Sequence, residues 1–172
     1  MKRFYGIMGN ASKFIKDLRL VESSNHGWTE AYVDEDGQQW LKYMVDRDNG
    51  RYYNVVHISP PPTTEEMIEI ALTSEDHDEV EGAAHRLLYE EEEEMKDFRP
   101  RLVERLQRID ILGLSNTDKK RIRTIVLNTH LTDRQNKREV VGKSITEVQA
   151  DSDYFTNVGQ FAEKLLNQIG MV

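Results

Sequence analysis

The chain has 172 residues, no cysteine, and 31 acidic against 23 basic side chains, for a formal charge of −8. That length fits one domain with a self-sufficient core. The missing cysteine excludes disulfides, thiolate zinc sites, iron–sulfur clusters and a thiol nucleophile. No apolar run approaches the roughly 20 residues that cross a bilayer. Phe4 to Met8 after Lys2-Arg3 is too short for a signal-peptide core, so a soluble cytoplasmic protein of bacterial type, with no membrane partner, is expected.

In chain order, Phe14, Ile15, Leu18 and Val21 have helical spacing and predict a short helix within residues 3–22. Residues 28–59 read as a three-stranded meander. Trp28 to Asp34 is followed by Glu35-Asp36-Gly37, Gln38 to Asp46 by Arg47-Asp48-Asn49-Gly50, and Arg51 to Ser59 by three prolines. Asp-Gly and Asn-Gly supply the positive φ angles of tight hairpins. In the middle run Trp40 and Met44 alternate with Leu41, Tyr43 and Val45, so both sheet faces carry apolar groups and one must be covered.

Pro60-Pro61-Pro62 stops the sheet. Thr63 with Glu66 forms a capping-box pattern that opens a helix containing Met67, Ile68, Ile70 and Ala71. A second helix starts near Asp78 with the stripe Val80, Ala83, Ala84, Leu87, Leu88, and continues through Glu90–Glu94 as a solvated segment. Pro100 ends or kinks it. Leu102, Val103, Leu106 and Ile109 form a third helix closed by Gly113, and Ser115 with Asp118 opens a fourth. Residues 132–152 read as polar loop, with a short strand or turn at Val140-Val141. A last helix spans about Asp153 to Ile169. The expected class is α+β: an N-terminal three-stranded antiparallel meander, then about five amphipathic helices, in a single domain over 1–172. Residues 1–59 are its sheet-containing part and 60–172 its helical part.

Ser74 to Leu88, through the acidic turn Glu75-Asp76-His77-Asp78 and then Val80, Ala83, Ala84 and Leu87, resembles the second helix of a HEAT-type repeat. Glu81 stands where that family carries arginine, and no second copy is present, whereas solenoids stack several. The resemblance implies helical hairpins with a protein-binding surface.

Charge is segregated along the chain. Residues 60–98 hold fourteen carboxylates against Arg86 and Lys96. Glu75 to Glu79 lie where helix N-termini favour negative charge, but within Glu90–Glu94 like charges four apart repel. The basic stretch Arg99, Arg101, Arg105, Arg108 folding back, or a basic partner, would offset that repulsion. A second basic cluster, Lys119, Lys120, Arg121 and Arg123, continues to Arg134, Lys137 and Arg138, a stripe that could meet phosphates on an otherwise acidic chain.

Other chemistry has weaker support. His77, Glu81 and His85 share a helix face at metal-ligand spacing without a fourth ligand. His57 sits in hairpin register near Asp46 and Asp48. No Gly-x-Ser-x-Gly or phosphate loop occurs, so no catalytic residue, metal or cofactor is assigned. The function expected is an acidic module that binds and occludes a basic protein, in the manner of a toxin-immunity inhibitor. Its surface is Glu65, Glu66, Glu69, Asp76, Asp78, Glu91, Glu92 and Glu93, with Trp28 and Trp40 as anchors. Nucleic-acid binding by residues 99–138, or a small hydrolase or metal-dependent enzyme, are the alternatives. A homodimer joining acidic to basic faces is a further arrangement.

Overall fold

The computed structural model describes residues 1–46 and 52–170; the turn expected at Arg47 to Gly50 lies outside them. Two compact units divide the chain, Met1–Arg86 and Leu87–Val172. The division falls inside a helix rather than at the triple proline.

The first unit is built on a five-stranded antiparallel sheet. β1 is Phe4–Tyr5, β2 Arg19–Ser24, β3 Thr29–Val33, β4 Gln39–Asp46 and β5 Tyr52–Ser59, in the spatial order β1-β5-β4-β3-β2. The meander is therefore present, with an extra strand on each side. A short α1 (Met8–Phe14), prolonged by one 3-10 turn, lies between the first two strands. It stops where Leu18 turns extended at φ −102°, ψ 150°. Val21 thus belongs to a strand and not to the helix the spacing suggested. Every residue of β2 is exposed, so this edge strand carries no apolar alternation to betray it.

Both sheet faces are covered. On one, α1 brings Ala11 and Phe14 against Tyr32, Trp40 and Val56. Phe14 stacks on Tyr5 at 4.0 Å and meets Trp40 edge-on at 4.6 Å. On the other lie Phe4, Tyr43, Val55 and His57, all buried. Helix α2 (Thr64–Thr73) opens on the expected Thr63–Glu66 capping box and buries Met67, Ile68, Ile70 and Ala71. Helix α3 (His77–Glu94) approaches β1 through glycine. A Cβ on Gly6 would lie 2.2 Å from the Gly82 nitrogen, and one on Gly82 would lie 2.6 Å from the Phe4 Cβ. Only two residues without side chains allow backbones so close.

The second unit contains the end of α3, then α4 (Arg99–Gln107), α5 (Asn116–Asn128) and α6 (Ile145–Gln168). Pro100 lies in the first turn of α4, the place where a missing N–H costs nothing, so it begins a helix instead of ending one. α6 starts eight residues before the expected Asp153, on a Ser144–Glu147 capping box. Val140-Val141 belongs to a turn closed by Lys143 N–H to Val140 O at 3.2 Å. Buried Leu102, Leu106, Ile125, Phe155 and Leu165 supply core. Gly159 admits the 132–134 segment, since a Cβ there would sit 2.9 Å from the Thr132 carbonyl oxygen. The described helices give no sign of a repeat. No described helix is long and apolar enough to cross a membrane.

Candidate functional site

The charges that looked uniform in sequence have different fates. Asp78 is 2 % exposed and serves the fold of the first unit. Its Oδ1 accepts the Ile7 N–H at 2.6 Å, its Oδ2 the Lys2 ammonium at 2.7 Å, and its carbonyl the Gly6 N–H at 3.2 Å. Lys2 also pairs with Asp76 at 2.7 Å. Partial burial pulls the Lys2 ammonium down, but the bonds and charges of Asp76 and Asp78 outweigh it and hold it above its usual range. Glu79 adds a bond from the Arg3 N–H at 2.6 Å. Asp78 is therefore corrected from partner contact to internal latch. Trp40 is corrected likewise. It is 3 % exposed, and its indole N–H is donated to Asp34 at 2.9 Å, so it is core and no anchor. Trp28 stays 44 % exposed. Glu65, Glu66 and Glu69 are exposed on α2, with the Glu66 carboxylate engaged in its cap.

In the second unit, Glu90–Glu94 is not the uniformly solvated run expected. Glu90 and Glu91 are 2 % and 5 % exposed. Arg99, wholly buried, grips Glu91 with Nε at 2.6 Å and Nη2 at 2.8 Å, a bidentate pair. Lys96 answers Glu90 at 3.3 Å and Glu94 at 2.7 Å. Glu91 is thereby also removed from the partner surface. Glu92 and Glu93 remain exposed, and no cation answers either among the described residues.

A cleft of about 330 Å³ opens beside this helix end, with Glu91, Met95, Asp97, Arg138, Lys143 and Phe155 in its lining. An ion-pair network frames it. Arg138 donates to Asp97 at 2.5 Å and to Asp151 at 2.6 Å, and Lys143 donates to the other Asp151 oxygen at 2.6 Å. The bond from Lys143, then that from Arg138, holds the Asp151 carboxyl below its usual range. Phe155 has Arg99 at 5.0 Å and Arg138 at 5.8 Å from its ring centre, cation–π distances. Arg138 also lies 4.5 Å from the ring centre of Tyr154. Burial, then the charge of Asp97, pushes the Tyr154 hydroxyl well up, so it stays protonated. Met95 adopts φ 55° and, with Lys96 N–H donated to Glu90 O at 3.0 Å, closes α3 in the manner usually served by glycine. Sequence reasoning missed this cleft, because its walls come from residues 91–97, 137–143 and 155, distant in the chain and lacking any motif.

The basic stripe is partly paired internally, while Arg101, Lys120 and Arg123 are exposed. Besides Arg99 and Arg138, Arg108 pairs with Glu104, Arg121 with Asp118, Arg134 with Glu163, and Lys137 with Asp133. His57 stands opposite Leu41, while Asp46 stands opposite Tyr52. The expected His57–Asp46 proximity is thus absent by five positions of register, and Asp48 lies outside the described residues. His77 reaches Glu81 only at 4.0 Å, and His85 is buried. Among the described residues, no three His, Asp or Glu side chains converge as a metal set. Comparison with protein-family models, curated proteins and solved structures finds no match.

Proposed function

We propose that the chain is an interaction protein that binds a basic protein partner through carboxylate surfaces and occludes it, as a toxin-immunity inhibitor would. The carrying observation is the C-terminal end of α3. A helix C-terminus already bears partial negative charge, yet five successive glutamates sit there. Lys96 and Arg99 answer three of them and leave Glu92 and Glu93 exposed. Like charges at this end destabilise the helix, so a cation from outside would be favourable. A second acidic surface supports the same reading. Residues 60–86 contain eight carboxylates and one cation, Arg86, which is buried near the ring of Tyr43. Exposed Glu65, Glu69 and Glu75 belong to it.

Such surfaces act mainly on the rate of encounter and lose strength as the Debye length falls from about 10 Å at 0.1 M salt to about 3 Å at 1 M. The test is capture of host proteins at low salt, followed by stopped-flow association with the purified partner. Glu92→Lys/Glu93→Lys and Glu65→Lys/Glu69→Lys should each slow association more than they speed dissociation. A partner whose association rate ignores salt and both double variants overturns the proposal.

A further inference from the structure

We infer that the cleft at the end of α3 receives one apolar side chain from an extended basic segment of a protein partner; this rests on the acidic-surface reading above. The cleft lies at the small end of ligand pockets, which span roughly 300–1,000 Å³, so it suits one side chain better than a cofactor. Its chemistry selects against ions. The four cations of its lining are already held, Arg138 and Lys143 by Asp97 and Asp151, Lys96 by Glu90 and Glu94, and Lys137 by Asp133, so an anion would have to break existing pairs. Two guanidinium groups lie within cation–π range of Phe155, so a third cation there meets like charge. An apolar group displaces water and breaks nothing.

The surroundings specify the rest of the segment. Glu92 and Glu93 immediately precede Met95, and Glu139, also exposed, lines the cleft. Basic residues on either side of the apolar one would complement these carboxylates. Met95 is the residue placed for apolar contact, since it lines the cleft and is 60 % exposed. At φ 55° glycine would hold the same turn with less strain, so the thioether side chain is what methionine adds at this position. Its flexibility suits a surface that must fit a partner's side chain.

The test uses the full chain with ¹³C-labelled methionine methyls and two synthetic peptides, acetyl-Lys-Arg-Leu-Lys-Arg-amide and its counterpart with glycine for leucine. The leucine peptide should shift the Met95 methyl resonance and bind about tenfold tighter than the glycine one. Met95→Gly should keep or raise the Tm while bringing the two affinities together. Because that variant relieves strain, its loss of preference is not a folding defect. Equal binding of the two peptides, weakened by Glu92→Lys/Glu93→Lys, overturns the cleft inference and leaves the acidic surface standing. A leucine preference that survives in Met95→Gly also overturns it. So does absence of binding by either peptide at about 1 mM, in which case the acidic surface stands or falls by the partner kinetics alone.

Discussion

Removing Arg99 should unfold the second unit selectively. In Arg99→Ala the Glu91 carboxylate, 5 % exposed, loses both of its charged bonds at 2.6 and 2.8 Å. Breaking a buried pair from one side costs about 3–5 kcal/mol, because the remaining charge is stranded. The cation–π contact with Phe155 at 5.0 Å adds up to about 1–2 kcal/mol. Against a typical domain stability of about 5–15 kcal/mol, this is a large share. Arg99→Met combined with Glu91→Leu removes both charges at similar volume and should recover most of the loss, since desolvation of the two ions vanishes with their attraction. Urea denaturation of the four corners of the Arg99/Glu91 cycle measures the coupling. The probes separate the units, because both tryptophans, Trp28 and Trp40, lie in the first. Far-UV circular dichroism should show an early transition in Arg99→Ala that tryptophan fluorescence does not follow. Additive single and double variants, or a loss below about 1 kcal/mol, would refute the reasoning and reduce the pair to a surface salt bridge.

Four further outcomes follow from the same geometry. Gly82→Ala should destabilise the first unit by more than the roughly 1–3 kcal/mol of ordinary overpacking, because the new Cβ falls 2.6 Å from the Phe4 Cβ; thermal melts followed by tryptophan fluorescence measure it. Asp78→Ala should cost about 3 kcal/mol by orphaning the Ile7 N–H and freeing Lys2, and hydrogen exchange at residues 3–7 should rise first. Ser144→Ala should cost about 1 kcal/mol and fray only the start of α6, read from exchange at residues 145–148. Asp76 and Asp151 titrate below their usual range in the folded protein, Asp76 because Lys2 and backbone bonds outweigh burial, Asp151 because of Lys143 and Arg138. Their contribution is complete above the unfolded carboxylate range near about 4 and drains as pH falls through the folded values; urea midpoints between pH 6 and pH 3 should fall mainly below about pH 4.5.

What sequence revealed and concealed has physical causes. β3, β4 and β5 were legible from their aromatic and branched residues and from the Asp-Gly and Asn-Gly pairs between them. β1 is two residues long and β2 wholly exposed, so neither has a periodicity to read. The Thr63 capping box was legible before α2, and the same pattern at Ser144 stood in plain view before α6. Its signal was masked by the polarity of residues 145–153, the first turns of α6, which are mostly exposed and propagate from the cap. The site was less legible than the fold. Composition located an acidic excess, but burial depends on which cation the fold brings near, and Arg99 and Lys96 select Glu91, Glu90 and Glu94 from a run of identical residues. Nothing in the run itself distinguishes Glu91 from Glu92.

That sorting also explains how one acidic sequence serves both stability and recognition. A carboxylate withdrawn from water needs a matched donor, and Asp78, Glu91 and Asp151 each have one or more. Those groups are committed, and substituting them reports on folding. Glu92 and Glu93 are exposed. Reversing their charge changes long-range potential with little cost to packing. The same division applies to the basic residues: Arg99, Arg108, Arg121, Arg134, Lys137 and Arg138 are paired with internal carboxylates, whereas Arg101, Lys120 and Arg123 are exposed. Charge reversals at Glu92 and Glu93 should therefore leave the urea midpoint of the second unit unchanged or raised, since they remove repulsion at a helix C-terminus, while association with a basic partner slows. A fall in stability instead would mean that these two glutamates are structural and that their exposure is not a binding surface.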